Sequence, residues 1–402
     1  MNLLAAAAGA VLALWIGLWI VPALRWPREL SLGRAAAAGR GDATERVVAL
    51  VPARDEAALL PLTLPSLLAQ DRLAGAVLAD DGSADGTAEA ARDAAGEPSC
   101  AARLEVIRLD DRTGECERPE GWSGKVWAQS RALERAVRRF GGFEWLLLVD
   151  ADIRLRPGAL RDLLAVARAE RRDLVSVMAR LRAVSLWERL LVPPFVYFFQ
   201  LLYPFRLVRR ERSRVAAAAG GCVLVRRAAL ERAGGFAAIS DRLIDDVALA
   251  QAVKRSGGRL WLGIDDGIES VRPYDTLAEL WRMIARNAFV QLGFRWSLLG
   301  GTLLGLALAF VSPPVGVAAG VWAGSPVAAS AFGLAWLIQA AALAPAVRHH
   351  RAGWPFALTL PLAAALYGAM TASAAWAHLR GRTSRWRGRV YGGGATRPSH
   401  VD

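Results

Sequence analysis

Two aspartates one residue apart, Asp150 and Asp152, directly follow the apolar run LLLV at residues 146–149. Two carboxylates this close repel each other unless a cation or a network of hydrogen-bond donors lies between them. Mg²⁺ and Mn²⁺ prefer hard oxygen ligands, usually one or two carboxylates completed by phosphate oxygens of a substrate. The pair therefore indicates a site for such a cation. The alternative is structural, because an aspartate at the end of a strand often only caps the next turn.

A second acidic pair, Asp80-Asp81, also ends an apolar run, and a glycine-containing turn follows it. One of these carboxylates is a candidate acceptor for hydrogen bonds from a nucleotide base or ribose. The alternative is a structural turn, with Asp85 as the N-cap of the next helix. Upstream, Arg54 and Asp55 follow another strand-like run. They form either a surface ion pair or part of the same nucleotide site.

Lys125 is one of two lysines in a chain with 50 lysines and arginines, and it lies beside glycines in GWSGK. The segment is not a Walker A loop, because the G-x-x-x-x-G-K-[ST] spacing fails and Val126 follows the lysine. A compact ammonium at the start of a helix can nevertheless bind a diphosphate. The alternative is a lysine exposed to solvent.

Asp245 and Asp246 open a predicted helix, where the helix dipole by itself favours acidic residues. The functional interpretation is that one of them is a general base that removes a proton from an acceptor hydroxyl. Two further acidic pairs lie in turn-like contexts and are interpreted as solvated loops: Asp110-Asp111 and Asp265-Asp266.

The segments around these residues alternate between apolar strands and helices. The predicted strands cover residues 46–53, 75–81, 103–109, 144–150 and 173–179. One predicted helix covers 123–139, and another has Pro157 in its first turn. The alternation predicts an α/β fold with a mostly parallel sheet. Ligands bind at the carboxyl ends of the strands in such sheets, so the pairs at 80–81 and 150–152 are expected to line one crevice.

Long apolar segments flank this α/β region. Residues 2–24 are almost wholly apolar, and residues 297–347 and 352–377 carry no charged side chain. A bilayer-spanning helix needs about 20 apolar residues. Spans are predicted near 3–24, 297–321, 326–347 and 354–377. The first lacks a basic start and a clean cleavage site, so it is interpreted as an anchor. Residues 184–207 are aromatic and contain Pro193-Pro194, and they are expected to lie in the membrane interface.

The formal net charge is +13, which we attribute to anchoring at the cytoplasmic face of a membrane. No aromatic-basic motif supports nucleic-acid binding. All four histidines follow residue 345, which excludes a Ser-His-Asp triad and a histidine zinc site from the α/β region. The three cysteines include no C-x-x-C pair, which fits a reducing compartment. Chemistry in the α/β region must therefore rest on carboxylates, lysine, arginine and bound metal.

Several motifs follow one another in the order VPARDE, LADDGSADGT, GWSGKVWA, LLVDAD, GGCVLVRR and IDDVALA. In this order they resemble the family 2 glycosyltransferases with a GT-A fold, over residues 46–295. The apolar segments, GWSGK and the C-terminal RWRGRVY make the chain most similar to the hopene-associated glycosyltransferases of bacterial hopanoid pathways. The resemblance implies a nucleotide-diphospho-sugar transferase-like α/β GT-A domain. The expected domains are an anchor at 1–26, the GT-A domain at 45–295, transmembrane segments at 296–378 and a basic tail at 379–402.

The resemblance also implies roles for individual residues. Asp150 and Asp152 are expected to hold Mg²⁺ or Mn²⁺ on the diphosphate of a nucleotide-sugar, where the metal neutralises the leaving group. Asp246, the second acid of its pair, is expected to be the base of a single inverting displacement, with Asp245 beside it. The residues expected to bind the nucleotide-sugar are Pro52, Arg54, Glu56, Asp80, Asp81, Lys125 and Asp150.

The expected function is metal-dependent transfer of a hexose from a nucleotide-diphospho-sugar, with a UDP-sugar as the expected donor, to a lipid acceptor such as a hopanoid. Processive polysaccharide synthases carry Q-x-x-R-W, but here Gln291 and Arg295-Trp296 are one residue too far apart. This spacing favours a single transfer. Polymer synthesis, and transfer to a polyprenyl or sphingolipid-type lipid, are the alternatives. A nucleotidyltransferase usually has a glycine-rich loop after its first strand, and residues 51–54 lack one, which argues against that class. A non-enzymatic scaffold is also disfavoured, because it has no need for carboxylates at three places.

The expected location is the bacterial inner (cytoplasmic) membrane, with the catalytic domain in the cytoplasm, where nucleotide-sugars are found. One span before this domain places the N-terminus outside. Three spans after it place the arginine-rich tail outside as well, against the positive-inside tendency. Either one apolar segment is re-entrant, or the tail is an exception.

Overall fold

The computed structural model describes residues 3–37, 39, 45–109 and 118–380, and the backbone of 385–386 and 389–390. The chain divides into two compact units. The sheet unit comprises Pro27–Leu181 and Phe205–Arg272, and the helical unit comprises Met1–Trp26, Arg182–Pro204 and Pro273–Asp402. Residues 182–204 and 273–295, which the predicted GT-A domain includes, thus group with the apolar helices. The predicted Asp110-Asp111 loop and most of the basic tail lie outside the described residues.

An eight-stranded sheet forms the core of the described part of the sheet unit. Its strands are β1 Val47–Ala53, β2 Leu73–Asp80, β3 Leu104–Arg108, β4 Trp145–Val149, β5 Ile153–Leu155, β6 Leu174–Arg180, β7 Cys222–Arg226 and β8 Leu260–Ser270. They lie in the order β3-β2-β1-β4-β7-β6-β8-β5. Neighbouring strands are parallel from β3 to β4 and between β6 and β8, and antiparallel elsewhere. The five predicted strands are confirmed, whereas β5, β7 and β8 were not predicted.

The parallel part of the sheet brings the predicted functional residues to one edge. β1 lies between β2 and β4 and is parallel to both, with Leu50 paired to Leu148. The strands are buried, as expected for continuous apolar runs in a parallel sheet. Arg54, Asp81 and Asp150 come directly after β1, β2 and β4, and they therefore lie at the same carboxyl edge. The two acidic pairs thus lie at the ends of parallel strands on either side of β1, and the expectation that they line one crevice stays a prediction.

Helices connect the strands and form most of the helical unit. The α-helices are α1 Leu3–Ile20, α2 Leu32–Ala36, α3 Leu60–Leu68, α4 Thr87–Ala95, α5 Pro98–Ala101, α6 Gly124–Phe140, α7 Ala159–Ala169, α8 Leu186–Leu202, α9 Phe205–Arg209, α10 Arg227–Arg232, α11 Asp245–Arg255, α12 Leu277–Gln291, α13 Trp296–Gly305, α14 Ser312–Trp322, α15 Pro326–His349 and α16 Leu360–Leu379. Segments of 3₁₀-helix cover Pro22–Leu24, Arg28–Leu30, Phe236–Ile239 and Trp354–Thr359. Two short antiparallel strands, β9 Arg385–Trp386 and β10 Arg389–Val390, end the described chain.

Two predicted helix starts are displaced by local turn geometry. The N-cap of α4 is Gly86 in a left-handed conformation, and not Asp85, although Asp85 Oδ1 still accepts a hydrogen bond from the N–H of Thr87 at 3.1 Å. α7 begins at Ala159, so Pro157 precedes the helix instead of occupying its first turn. In both cases a glycine with positive φ turns the chain into the helix, a conformation that glycine adopts without steric cost.

Four helical segments in the described residues are long and apolar enough to cross a bilayer: Leu3–Ile20, Trp296–Trp322, Pro326–His349 and Trp354–Leu379. They are termed the first to fourth apolar segments, and they match the four predicted spans. α8 is a single helix that contains Pro193 and Pro194 and begins with a capping box formed by Ser185 and Glu188. Its placement in the membrane interface stays a prediction.

The second apolar segment is interrupted between α13 and α14. A π-helical stretch, Leu306–Val311, joins them just before Pro313-Pro314. Proline has no backbone N–H, so the carbonyl groups one turn earlier lose their helical donors. These are the carbonyls of Ala309 and Phe310. In an apolar surrounding an unpaired carbonyl costs several kcal/mol, by the usual order of magnitude.

Side chains from two other helices pair these carbonyls. The indole N–H of Trp15 in α1 donates to the carbonyl of Ala309 at 2.7 Å. The amide of Gln339 in α15 donates to Ala309 at 2.9 Å and to Phe310 at 3.3 Å. Donors from α1 and α15 thus bind the carbonyl groups at the break in the second apolar segment. Polar contacts, as well as packing, join α1, α15 and this segment inside the helical unit.

Candidate active site

Lys125 lies at the centre of a group of charged side chains at the carboxyl edge of the sheet. Its Nζ is 3.0 Å from Oδ1 of Asp150, which follows β4, and 3.3 Å from Oδ2 of Asp245, the first residue of α11. Ser123 caps α6 by accepting from the N–H of Val126, which leaves Lys125 in the first turn of that helix. The lysine is therefore an ion-paired residue, and its interpretation as a lysine exposed to solvent is wrong.

The charge of Lys125 is stabilised by its surroundings. Burial alone would lower the pKa of the ammonium group. The carboxylates of Asp150, Asp245 and Asp246 outweigh this effect and raise the pKa above its ordinary value. Lys125 is therefore a permanent positive charge at neutral pH, and it lies between carboxylates of two different elements.

Asp246 is held by backbone groups at the N-terminus of α11. Its Oδ2 accepts from the N–H of Gly220 and its Oδ1 from the N–H of Val247, each at 2.7 Å. Burial and the charge of Asp245 raise the pKa of Asp246 to about 7, although Lys125 and the two N–H groups oppose them. A carboxylate that titrates near neutral pH is suited to take up a proton and release it again.

Gly220 allows Asp246 and Lys125 to approach the same stretch of backbone. A Cβ atom added at Gly220 would lie 3.1 Å from Oδ2 of Asp246 and 3.3 Å from Nζ of Lys125. Both distances are shorter than an ordinary contact of a Cβ atom with its neighbours. A side chain here would push the two charged groups away, so the site requires glycine at this position.

Asp152 is bound on one side by the end of β8. Its Oδ2 accepts from the hydroxyl of Ser270 at 2.7 Å and from Nε of Arg272 at 3.2 Å. The same guanidinium donates from Nη2 to Oε1 of Glu56. Arg272 thus joins the segment after β1 to the segment after β4, and it binds the carboxylate of Glu56, which the sequence assigned to the nucleotide-sugar.

The two aspartates after β4 fit a divalent cation. Within the described residues, Oδ2 of Asp150 and Oδ1 of Asp152 form no hydrogen bond with the protein. Burial raises the pKa of Asp150, and the charges of Asp152 and Asp245 add to this effect against Lys125. No group of three or more His, Cys, Asp or Glu side chains that could hold a metal occurs in the described part of the chain. The site therefore offers a cation two hard oxygens, and a phosphate-bearing ligand or water must supply the rest, as is usual for Mg²⁺.

The end of β2 holds the acids expected to bind a nucleoside. Asp80 Oδ1 accepts from the N–H of Ser83 at 2.9 Å and from its hydroxyl, which closes the turn after the strand. Nη1 of Arg54 donates to the carbonyl of Asp81 at 2.9 Å and lies 3.6 Å from its carboxylate. Nε of Arg54 is 3.9 Å from Asp55. Arg54 therefore binds mainly to Asp81, and the surface ion pair with Asp55 is the longer contact.

The remaining predicted nucleotide-sugar ligand, Pro52, lies within β1 and is half-buried. It brings no polar side chain to the site. Of the residues assigned to this role, Lys125 and Asp150 are in direct contact, as are Arg54 and Asp81. The roles themselves stay predictions, because contact within the protein does not identify a ligand.

The interpretation of Asp265-Asp266 as a solvated loop is wrong for its first residue. Both residues lie in β8, and Asp265 is 4% exposed. Arg156 binds Asp265 through two nitrogens, at 3.1 and 3.0 Å, and binds Asp162 at 2.8 Å. The acid is part of a buried ion-pair network. The local sequence resembled a turn because GIDDG has glycine at both ends. The strand continues past it, because residues 260–264 pair with β6 and residues 268–270 pair with β5, with a register shift in between.

Sequence reasoning assigned no role to Gly220, Ser270 or Arg272. The glycine pair at 220–221 was an available signal, since it opens the motif GGCVLVRR. Ser270 and Arg272 had none, because they lie 118 and 120 positions along the chain from the aspartate that they bind. Only the pairing of β5 with β8 brings them to Asp152.

Solved structures similar to this chain include several sugar transferases. A mannosyltransferase from Pyrobaculum calidifontis, PcManGT, in complex with GDP-Man and Mn²⁺, is 22% identical with a TM-score of 0.47, over 94% of this chain and 99% of that chain. Glucosyl-3-phosphoglycerate synthase from M. tuberculosis is 19% identical with a TM-score of 0.38, over 64% and 82%. Mannosyl-3-phosphoglycerate synthase from Rubrobacter xylanophilus is 20% identical with a TM-score of 0.37, over 68% and 79%. No curated protein matches the chain.

A family model described as glycosyl transferase family 21 matches residues 117–394, which is more than half of the chain. The chain belongs to glycosyl transferase family 21. The family is thus 21, and the resemblance to family 2 is not confirmed. This family 21 protein has the predicted α/β class, with a mixed sheet whose parallel part holds the predicted strand ends, and its described residues include one N-terminal and three C-terminal apolar helical segments.

The family model covers only part of the candidate site of the family 21 protein. It includes Lys125, Asp150, Asp152 and Asp246, which surround the proposed cation and base positions. It begins after β3, so the ends of β1 and β2 lie outside it. The part of the site with the Lys125 contacts is therefore the part that the family assignment covers.

Proposed function

We propose that this family 21 protein is a membrane-bound, inverting glycosyltransferase that moves one hexose from a nucleoside diphosphate sugar to a lipid. A UDP-sugar is the expected donor, and a hopanoid is the first acceptor to test. The contacts of Lys125 carry the proposal, since its ammonium lies between Asp150 at the end of β4 and Asp245 at the start of α11. Lys125 thus connects Asp150, which is proposed to act at the donor diphosphate, to Asp245, the neighbour of the proposed base Asp246.

Asp150 and Asp152 are the residues proposed to hold Mg²⁺ or Mn²⁺, through the carboxylate oxygens that have no partner in the described part of the protein. When bound, the metal neutralises the charge that develops on the diphosphate as it leaves. Lys125 contributes to the same task because it stays protonated and is fixed by its ion pairs. A fixed positive charge stabilises developing negative charge without reorganisation.

Asp246 is the proposed base. The acceptor hydroxyl gives its proton to a carboxylate oxygen of Asp246, its oxygen bonds to the anomeric carbon, and the bond from that carbon to the diphosphate breaks. A single displacement of this kind inverts the anomeric centre. The N–H groups of Gly220 and Val247 hold the carboxylate in place. Asp245 is paired with Lys125, and its proposed role is to set the charge around the base.

The nucleoside is assigned to the ends of β1 and β2. Arg54 and Asp81 are the preferred ligands, because Asp80 is bound by Ser83 and Glu56 is bound by Arg272. A paired arginine and aspartate can present both a donor and an acceptor to a base or a ribose. Pro52 is expected to contribute only apolar contact.

A lipid acceptor agrees with the apolar segments of the helical unit. We assign the protein to the bacterial inner membrane, with the sheet unit in the cytoplasm. Transfer of a single sugar, and not polymer synthesis, is supported by the connection between α12 and α13. Gln291 Nε2 binds the hydroxyl of Tyr203, and the chain then turns through Gly293 and Phe294 with positive φ angles of 57° and 58°. Compared with Q-x-x-R-W, this chain has one more residue between Gln291 and Arg295, and the additional residue lies in this turn.

The proposal is tested first by nucleotide binding to the purified protein, which requires knowledge of neither the sugar nor the lipid. UDP binding is measured by calorimetry with and without Mn²⁺, for the wild type, Asp152→Ala and the control Asp93→Ala, an exposed carboxylate on α4. We expect metal-dependent binding that is lost in Asp152→Ala and retained in Asp93→Ala. If the wild type binds neither UDP nor GDP, the donor assignment is wrong.

A second assay tests the acceptor. Membranes with the wild type or Asp246→Asn are given radiolabelled UDP-sugars, with and without added hopanoid, and lipid products are separated by chromatography. A labelled lipid that needs Asp246 and increases with hopanoid supports the full proposal. Label found in a polymer, and not in a lipid, contradicts the single transfer.

A further inference from the structure

Arg272 connects two acidic side chains at the carboxyl edge of the sheet. Its Nε is 3.2 Å from Oδ2 of Asp152, and its Nη2 donates to Oε1 of Glu56. Glu56 is 7% exposed, and the Arg272 side chain is 24% exposed. A guanidinium suits this bridge because its planar group presents several N–H donors in fixed directions.

The bridge restricts how Asp152 presents its carboxylate. Arg272 and the hydroxyl of Ser270 both bind Oδ2 of Asp152. Two donors on one oxygen oppose rotation of the group, and they leave Oδ1 as the oxygen without a protein partner in the described residues. Glu56 fixes the guanidinium in turn. The orientation of a proposed metal ligand therefore depends on a residue from each of two other segments.

We propose that Arg272 is a positioning residue for Asp152, with Glu56 as its anchor, and that it tunes the affinity of the site for a divalent cation with a nucleoside diphosphate. The inference rests on the proposed function. Groups that orient a metal ligand typically contribute 10- to 100-fold to metal affinity, by order of magnitude. The bridge is needed here because Asp152 and Glu56 would otherwise be two like charges at a partly buried edge.

The test measures binding of Mn²⁺ with UDP by calorimetry, and the environment of bound Mn²⁺ by electron paramagnetic resonance. Arg272→Gln is compared with Arg154→Gln, which removes an exposed arginine that pairs with Glu269 in the same sheet unit. We expect affinity to fall about 10- to 100-fold in Arg272→Gln, to fall less in Glu56→Gln, and to be unchanged in Arg154→Gln. Arg272→Lys should restore only part of the affinity, because an ammonium group lacks the planar arrangement of N–H donors with which the guanidinium binds both acids.

Affinity equal to that of the wild type in Arg272→Gln overturns the positioning role and leaves the proposed function intact. Failure of the wild type to bind Mn²⁺ and UDP overturns the proposed function instead. If Arg272→Gln does not fold, Ser270→Ala removes the other hydrogen bond to the same oxygen, and unchanged affinity there contradicts the inference as well.

An independent observation concerns the fourth apolar segment and rests on contacts within the helical unit alone. α1 and α15 run in the same direction, since Ala8 packs against Ala328, near the start of each helix. At their other ends, the ring of Trp26 lies 5.5 Å from the ring of His349. These C-terminal ends therefore share one end of the unit, here termed the Trp26 end.

The second apolar segment runs in the opposite direction. Trp15, late in α1, packs against Phe310 with ring centroids 5.3 Å apart. Leu4, at the start of α1, belongs to the same apolar cluster as Val317, later in the second segment. The second segment therefore starts, at Trp296, at the Trp26 end.

The chain after α15 turns back along that helix. The 3₁₀ segment Trp354–Thr359 packs on α15, and the indole N–H of Trp336 donates to the carbonyl of Leu358 at 3.0 Å. Trp336 lies near the middle of α15. Within nine residues of His349, the chain has thus moved from the Trp26 end to about the middle of the bundle.

α16 then returns towards the Trp26 end. Contacts along α16 show its direction: Gly368 lies beside Leu303, Ala375 packs with Leu299, and His378 stacks on Phe294 at 4.7 Å. Later residues of α16 meet earlier residues of the chain around α13, so the two helices are antiparallel. α16 therefore ends where the second apolar segment begins.

We infer that residues 350–379 form a re-entrant hairpin, which enters and leaves the membrane at the Trp26 end, so that the chain crosses three times and not four. Side chains pair two backbone carbonyls at the turn, which suits the interior of a membrane. Thr359 donates to the carbonyl of Phe356 at 2.9 Å, and Trp336 pairs the carbonyl of Leu358.

The distribution of charge agrees with this topology. Several basic residues flank the apolar segments at the Trp26 end: Arg25, Arg295, Arg348, Arg351 and Arg380. The connection at the other end, residues 323–325, has no charged side chain. Under the positive-inside tendency the Trp26 end is cytoplasmic. The arginine-rich tail then starts on the cytoplasmic side, and it is no longer an exception.

Cysteine labelling tests the hairpin. Arg348→Cys and Arg380→Cys flank it, and Ala323→Cys marks the opposite end; each is made in the full chain with Cys100→Ser and Cys116→Ser, while Cys222 is buried. A membrane-impermeant maleimide is applied to right-side-out and to inverted vesicles. We expect positions 348 and 380 to react only in inverted vesicles, and position 323 only in right-side-out vesicles.

Reaction of positions 348 and 380 from opposite sides overturns the hairpin and restores four crossings. If a variant is not inserted, fusions after Arg380 replace it. Green fluorescent protein should then fluoresce and alkaline phosphatase should be inactive, and the reverse pattern contradicts the inference.

Discussion

Asp246, in the candidate site of the sheet unit, and Gln339, inside the helical unit, are polar side chains in very different surroundings. Asp246 has a second acid, Asp245, next to it, and burial and that charge raise its pKa to about 7. Gln339 is fully buried, and its amide donates to two carbonyls that Pro313-Pro314 leave without helical donors.

The difference separates a group proposed for chemistry from a group that pairs the backbone. A raised pKa in an acid means that the folded protein disfavours its charged form, so Asp246 weakens the fold at neutral pH. Gln339 repairs a gap in the backbone pairing and strengthens the fold. Substitutions at the active-site edge should therefore reduce activity without loss of stability, and those in the helical unit should do the opposite.

The largest effect is expected for Asp246→Asn. Loss of the proposed general base should lower kcat about 10³-fold, within the usual range for such groups. The folded wild type keeps this proton up to about pH 7, whereas the unfolded chain releases it near the ordinary aspartate pKa of 3.8. The folded state thus binds more protons in this window, and wild-type stability falls as pH rises through it.

Asparagine does not titrate, so the stability of Asp246→Asn should not fall with pH in this window. In thermal unfolding of the metal-free protein, the melting temperature of Asp246→Asn should be at least equal to that of the wild type at pH 7.5. At pH 4 its melting temperature relative to the wild type should be lower than at pH 7.5. If Asp246→Asn melts well below the wild type at pH 7.5, Asp246 stabilises the fold as Gln339 does, and the contrast between the two residues is wrong. Asp93→Asn, an exposed acid on α4, serves as the control and should change neither property.

Asp265→Asn should have the next largest effect, and with the opposite sign for stability. Asp265 is buried and receives two hydrogen bonds from Arg156. The substitution leaves the partly exposed Arg156 with Asp162 as its remaining acidic partner. The cost should therefore be about 2–3 kcal/mol, below that of breaking a fully buried ion pair. The melting temperature should fall by several degrees while kcat is retained. Loss of kcat without loss of stability would show that Asp265 belongs to the active site.

Gly220→Ala should have an intermediate effect on activity. The added Cβ would lie 3.1 Å from Oδ2 of Asp246 and 3.3 Å from Nζ of Lys125. The charged groups must shift by a few tenths of an ångström, and we expect kcat to fall about 10-fold, since small displacements of catalytic groups cost this much or more. Gly33→Ala is the matched control, because its Cβ would be 3.9 Å from the nearest side chain. Equal activity of the two variants would contradict a close fit at position 220.

The smallest effect is expected for Gln339→Leu. The substitution removes two hydrogen bonds to the carbonyls of Ala309 and Phe310, but it also removes the buried Oε1, which has no partner in the described residues. The net loss should be about 1 kcal/mol, as for one ordinary hydrogen bond. Adding Trp15→Phe leaves Ala309 without either donor, so the double variant should lose more than the sum of the single ones. Thermal unfolding in detergent measures this, with kcat unchanged.

Local patterns singled out Asp150, Lys125 and Asp245-Asp246 separately, and their roles stay predictions. The apolar run before Asp150, the acids that open α11 and the glycines before Lys125 all act within a few residues, through strand burial, the helix dipole and the helix start. The same local reasoning was wrong for Asp265, because pairing with distant strands turned an apparent loop into part of β8.

By itself the sequence determined the α/β alternation, the four apolar segments and the acidic and basic residues of the site, because periodicity, length and composition are local properties of the chain. Only the tertiary structure decided that Arg272 binds Asp152, that Gly220 makes room for Asp246, and that residues 350–379 turn back on themselves. Each of these depends on register and direction between segments far apart in the chain, and no local pattern carries that information.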